Sequence, residues 1–277
     1  MYKSLIAATA LVAAASASAA TTVTILPTDS SVSTPFGTVA TSNPVSENGN
    51  GTGSAFVSAA QPRAGNGSLE IHGDRSRYVV GNLYAGPSLF AFNQLDSLSF
   101  DWRVDAPSAA FLHASPAIRL HIIDPTANGN IRSEMIWEQV YDGGQSGVAP
   151  ALGAWATESD PNMYLNVRTN AGLFTAETGL NVAGSGVVLD GTSQRNSSIA
   201  AWMPFFSADA YVTGISFVAG SGFGANFLSF VDAVNLTVDG EQVGFNFENA
   251  AAAVPEPAAL ALLGLGVLGL AARRRRR

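Results

Sequence analysis

Apolar and polar side chains alternate along much of the chain. Leu95-Asp-Ser-Leu-Ser-Phe-Asp-Trp-Arg-Val104 sets Leu98, Phe100, Trp102 and Val104 on one face of an extended segment and Ser99, Asp101 and Arg103 on the other. The same two-residue period returns at Ser68–His72 and at Ala117–Ile123, where Ile118, Leu120 and Ile122 are expected to point inward. Shorter extended pieces are expected at Val23–Leu26, Ala55–Val57, Arg77–Val80 and Ile131–Tyr141, and longer closing strands at Val212–Val218, Phe227–Asp239 and Glu241–Phe247. Turn chemistry separates them: Asp124-Pro-Thr-Ala-Asn-Gly129, Asp142-Gly-Gly144 and Gly220-Ser-Gly-Phe-Gly224 supply the residues that tolerate tight or left-handed backbone. No stretch between residues 21 and 250 sustains a 3.6-residue stripe long enough for a core helix. The pattern predicts an all-β fold, a single jelly-roll-like β-sandwich over residues 21–250, with a long Gly/Asn-rich loop around Ser46–Gly53.

The two ends depart from this pattern. Residues 1–20 combine Lys3, an apolar run from Leu5 to Ala15 and a small-residue end, which predicts a secretory signal peptide cut after Ala19 or Ala20. At the other end, residues 251–277 hold Val254-Pro-Glu-Pro257, an uninterrupted apolar stretch from Ala258 to Ala272, and then Arg273, Arg274, Arg275, Arg276 and Arg277. As a helix the apolar stretch is roughly 22 Å long, short of the ~30 Å hydrocarbon core, so it is a minimal membrane segment. The arginines hold its end in the cytoplasm and place everything before Pro257 outside. Pro255 and Pro257 keep Glu256 extended beside the membrane, where a processing enzyme can grip it.

Charge sharpens the picture. With both ends removed, eight arginines and no lysine face twenty acidic side chains, a net charge of −12. Such a surface argues against nucleic acid, whose phosphates need clustered Lys and Arg. The chain has no cysteine, so disulfides contribute nothing and stability rests on the core.

The tail, with Pro255-Glu256-Pro257, a short apolar helix and a terminal arginine cluster in that order, resembles the PEP-CTERM sorting signal of exported Gram-negative proteins. That resemblance implies cleavage near Pro255–Pro257 by a membrane-embedded exosortase, transient association with the inner membrane, and a final place at the cell surface or outside the cell, among exopolysaccharide. More weakly, Val218–Gly224 with Phe230-Val-Asp-Ala-Val-Asn-Leu-Thr237 and Phe245-Asn-Phe-Glu248 is similar to the close of jelly-roll domains related to carbohydrate-binding modules. In those modules the resemblance implies a structural calcium, here on Asp232 with a partner such as Glu47.

Three sets of side chains bear on chemistry. Trp155, Tyr164 and Trp202, near turns, are expected to form a sugar-stacking platform, whereas Trp102 and Trp137 fit the inward alternation and belong to the core. Glu134 and Glu138 share a strand face as the carboxylate pair of sandwich glycosidases does, but positions four apart on a flat strand are roughly 13 Å apart and Ile136 stands where those enzymes carry an Asp. His72, His113 and His121 are too dispersed to specify a metal site, and no nucleophile elbow or phosphate loop is present. The expected function is therefore that of an exported, non-catalytic surface or matrix protein that binds polysaccharide. The alternatives are a glycan-active enzyme using Glu134 and Glu138, or a purely structural matrix protein.

Overall fold

The computed structural model describes residues 20–42, 53–83, 86–125, 131–140, 149–168 and 196–249. Within them the chain forms two β-sheets packed as a sandwich, as the alternation predicts.

The smaller sheet has seven strands. Its centre is β15 (Leu228–Val238), which pairs along one side with β8 (Leu95–Ala106), and β8 in turn with β11 (Trp155–Ser159). The other side of β15 is divided. Its first half pairs with β5 (Ser68–His72), followed by β4 (Ser54–Ser58); its second half pairs with β16 (Glu241–Phe247), followed by β1 (Thr21–Ile25). Where the partner changes, the register against β8 shifts between Asp232 and Asn235 and Ala233 adopts φ of 49°, the signature of a bulge. β1 runs parallel to β16, and its end is tied down by the Glu248 amide donating to the Ile25 carbonyl at 2.9 Å.

The larger sheet has nine strands. In order they are β13 (Asn196–Ser197), β12 (Met163–Arg168), β10 (Ile131–Trp137), β9 (Ala117–Asp124), β14 (Tyr211–Val218), β6 (Arg77–Gly81), β3 (Gly37–Ser42) and β2 (Ser31–Thr34), with β7 (Phe90–Ala91) also paired to β14. β10 is shorter than the expected Ile131–Tyr141 strand. Its ladder stops at Trp137, and the Gln139 amide turns to the Ser115 hydroxyl at 3.0 Å.

The inward faces carry out the sequence pattern. Leu98, Phe100, Val104, Ile118, Leu120 and Ile122 are fully buried, and Trp102 is 5% exposed. Aromatic rings lock the sheets together: Phe100 meets Trp137 edge-on at 4.8 Å, and Phe247 meets Phe217 and Tyr78 at 5.4 and 5.8 Å. Burial of each such side chain is worth about 2 kcal/mol or more. The one described α-helix, α1 (Ile199–Trp202), is a single turn whose Ala201 amide donates to the Ser198 hydroxyl at 3.3 Å, continued by a 3-10 turn at Met203–Phe205.

Candidate functional site

Because side chains alternate across a strand, the residues that do not enter the sandwich core form the outer face of each sheet. On the larger sheet the register arranges that face in two rows. One row reads Ser216, Arg119, Ile136, Tyr164, Asn196 across β14, β9, β10, β12 and β13; the next reads Gly214, His121, Glu134, Asn166. Strands are about 4.8 Å apart and rows about 6.6 Å apart, so each side chain touches its neighbours along and across the rows.

An outer face of an antiparallel sheet is commonly solvated, yet here it is polar and buried. His121, Glu134 and Ser216 are completely inaccessible, and Asn166 and Asn196 are 6% and 3% exposed. Glu134 is the hub. Its Oε2 lies 3.6 Å from Arg119 Nη1, its Oε1 lies 3.7 Å from His121 Nδ1, and His121 Nε2 shares a 2.8 Å hydrogen bond with the Ser216 hydroxyl. A buried carboxylate is tolerated when cations and donors surround it, which this arrangement provides. Glu138, one residue past β10, has its carboxyl pushed up to about 7 by burial, against the opposing pull of the Arg119 guanidinium. Arg119 therefore acts on both carboxylates.

Two amides in this face stand apart. Among the described residues, Asn166 Oδ1 and both polar atoms of Asn196 are buried and have no hydrogen-bond partner. Tyr164, partly buried, packs its ring on the small apolar cluster of Ala117, Ile136 and Val218 and sits directly opposite Asn196.

The expected aromatic platform is not assembled. Trp202 is 1% exposed and belongs to the core, with its indole Nε1 donating to the Met163 carbonyl at 2.8 Å, so its ring has no face to offer a ligand. The cause is local: Ser198 caps a helical turn that swings Ile199 and Trp202 inward together. Trp155 is half-buried on β11 opposite Arg103, on the outer face of the smaller sheet, while Tyr164 lies on the outer face of the larger one. The two rings thus lie on opposite sides of the sandwich.

On the smaller sheet a row of carboxylates holds the segment between β4 and β5. Gln61 Nε2 donates to Asp105 at 2.9 Å, Arg63 Nε to Asp101 at 2.6 Å, the Ala64 amide to Asp232 at 2.9 Å and the Asn66 amide to Glu248 at 2.6 Å. At Gly65, with φ of +147°, a Cβ would overlap the Glu248 carboxylate. Asp232, completely buried at the partner switch of β15, also accepts from the Phe247 amide at 3.2 Å; burial pushes its carboxyl up, opposed by the backbone amides of Ala64, Ala233 and Phe247. A carboxylate that accepts N–H donors on both oxygens anchors backbone amides; Glu47, named with Asp232 as a calcium ligand, lies outside the described residues. Among the described residues no three His, Asp or Glu side chains are placed to hold a metal ion. His72 pairs with Glu70 and stacks on Phe56, away from His121.

Ala20 is the first described residue and is exposed. Ala19, Val254 to Pro257, the apolar segment and Arg273 to Arg277 lie outside the described residues, among which no helix is long and apolar enough to cross a membrane. Sequence comparison speaks for the tail instead. Curated proteins give no match to the chain. Residues 253–277 match the family model described as the PEP-CTERM protein-sorting motif. The chain thus carries a C-terminal PEP-CTERM sorting motif, a signal that implies exosortase processing, export and a surface or extracellular destination.

Proposed function

We propose that the β-sandwich is a non-catalytic module that binds extracellular polysaccharide once the protein has been exported and its tail removed. The observation that carries this reading is the two-sheet sandwich itself, the architecture expected of a jelly-roll-like binding module, joined to a C-terminal sorting signal. The sorting signal supplies the context, since it directs the chain to the surface, where polysaccharide is the abundant polymer.

A catalytic reading has one observation in its favour, the Glu138 carboxyl held near 7 beside Arg119, which suits a general acid. It needs Glu134 as the second carboxylate, and Glu134 is completely buried in an ion-paired network. That enclosure keeps Glu134 out of a substrate's reach. The test is co-precipitation of the processed protein with the polymer shed by its producing cells, followed by reducing-end assay. Binding without new reducing ends is expected. New reducing ends that vanish in Glu138→Gln would establish the enzyme, and neither binding nor hydrolysis would leave a purely structural matrix protein.

A further inference from the structure

We infer that the end of the sandwich carrying Phe111, Leu112 and Leu152 is a membrane-contacting surface, seated on the lipid headgroup layer while the uncut tail is inserted beside it. This rests on reading residues 258–272 as a membrane segment and is independent of the polysaccharide reading. Among the described residues, the exposed large hydrophobic side chains are these three, at 40%, 66% and 53%. All of them lie where β8 finishes at Ala106. The loop between β8 and β9 presents Phe111 and Leu112, and Leu152 sits beside Val104, whose carbonyl accepts from the Gly153 amide at 2.8 Å. Hydrogen bonds fix the tip: the Ser108 hydroxyl accepts from the amides of Ala110 and Phe111 at 3.2 and 3.0 Å, and the Ala114 amide closes a turn on the Phe111 carbonyl at 2.9 Å. The Phe111 ring packs beside Phe223 at 6.2 Å. A clustered, rigidly presented set of exposed apolar side chains marks a contact surface.

The course of the chain names the occupant. β8 and β16 both run antiparallel to β15, so β16 points toward this same end. It stops level with Asp232, which faces Asp101, five residues short of Ala106; about 17 Å therefore separates the exit from the tip. The exit is clamped, with the Glu248 amide on the Ile25 carbonyl and the Asn249 amide on Asn66 Oδ1 at 3.1 Å. Residues 250–257 alone then separate the domain from the apolar segment, a reach of at most about 28 Å. The tether is long enough to bring the tip to the surface that holds the tail and too short to keep the domain far from it. Charged side chains beside the tip are opposite pairs, Arg75 with Asp74 and Arg103 with Asp105, so they add no net charge against the headgroups. As a helix the apolar segment is roughly 22 Å long, short of the ~30 Å hydrocarbon core, and a weak anchor is made firm by a second contact beside it. Cutting the tail removes the effective concentration that holds that contact, so the tip lets go with it.

The chain has no cysteine, so one introduced cysteine carries an environment-sensitive dye at a chosen place. Protein that keeps its whole tail is reconstituted in vesicles of phosphatidylethanolamine and phosphatidylcholine containing a doxyl-labelled lipid as quencher. The dye is placed at Leu112→Cys, or at Glu241→Cys, exposed at the opposite end of the sandwich. Emission at Leu112 is expected to shift to the blue and lose intensity, while emission at Glu241 stays as it is in buffer. Leu112→Asp, at a mostly exposed position, is expected to melt as wild type does and to restore the emission of a dye at Leu152→Cys. Protein that floats with the vesicles but shows no quenching at Leu112 would overturn the surface while the tail's insertion stands. Equal quenching at both ends would overturn the end-on seating. Protein that does not float with the vesicles would remove the inserted tail and the surface with it. A Leu112 shift that appears without vesicles and grows with protein concentration would overturn lipid as the occupant and assign the tip to a second copy of the chain.

Discussion

Ala64 and Asp232, 168 positions apart in the chain, are joined by a 2.9 Å hydrogen bond from backbone amide to carboxylate. Asp232 sits where β15 exchanges β5 for β16, and its oxygens receive the Phe247 amide, at the end of β16, and the Ala64 amide, from the segment between β4 and β5. Asp232→Asn would turn an NH2 group toward an N–H donor. The expected cost is about 2–4 kcal/mol in urea denaturation. Chelator tests calcium at this carboxylate: a melting temperature that falls by several degrees establishes it, and an unchanged value removes Asp232 from the ligands.

Glu138 makes stability depend on pH in a particular sense. Its folded carboxyl titrates near 7, above the ordinary value of 4.5, so the folded state binds a proton that the unfolded chain has released. Its contribution to stability is therefore full below about 4.5 and is lost as pH rises toward 7. Asp232, also raised, works in the same direction at the acid end. Denaturation midpoints across this range should show a downward slope that flattens in Glu138→Gln. An unchanged slope would assign it elsewhere.

The Glu134 hub is a structural commitment. Glu134→Ala removes the fully buried carboxylate that faces both Arg119 and His121, and loss of one partner from such a buried pair costs about 3 kcal/mol or more. Thermal melting should register it directly.

The tryptophans separate core from surface. Trp202→Ala removes a fully packed ring and its hydrogen bond to Met163, an expected loss of about 3–5 kcal/mol. Trp155→Ala, on a half-buried edge position, should cost about 1 kcal/mol or less. Equal losses in denaturant titrations would contradict the burial difference.

Processing of the tail is checked by intact mass. Protein recovered from the surface of its own cells should lack Arg273 to Arg277, and a strain without exosortase should retain them.

How far the sequence reveals this molecule depends on whether the deciding contacts are local. The inward row Leu98, Phe100, Trp102 and Val104 was legible because alternation within one strand is enough to place it. The tail was legible because its three features are contiguous. Trp202 was misjudged as a surface ring because Pro204 and the surrounding small residues suggest a turn; the local clue was Ser198 ahead of Ile199 and Trp202, a cap followed by apolar residues at helical spacing. Asn166 and Asn196 gave no signal at all. They are thirty positions apart, and only the pairing of β12 with β13 makes them neighbours. Likewise Trp155 and Tyr164 look like companions nine residues apart, while their strands join different sheets.

The parallel pairing of β1 with β16 bears on how the protein withstands tension. The sorting motif begins at residue 253, six positions beyond the end of β16 at Phe247, so any pull on the tail is transmitted into that strand. β16 is bordered on both sides, by β15 and by β1, and a pull along its axis loads both hydrogen-bond ladders in shear, all at once, rather than unzipping them one after another. A load applied to the tail is thus borne by a strand that is held on both sides.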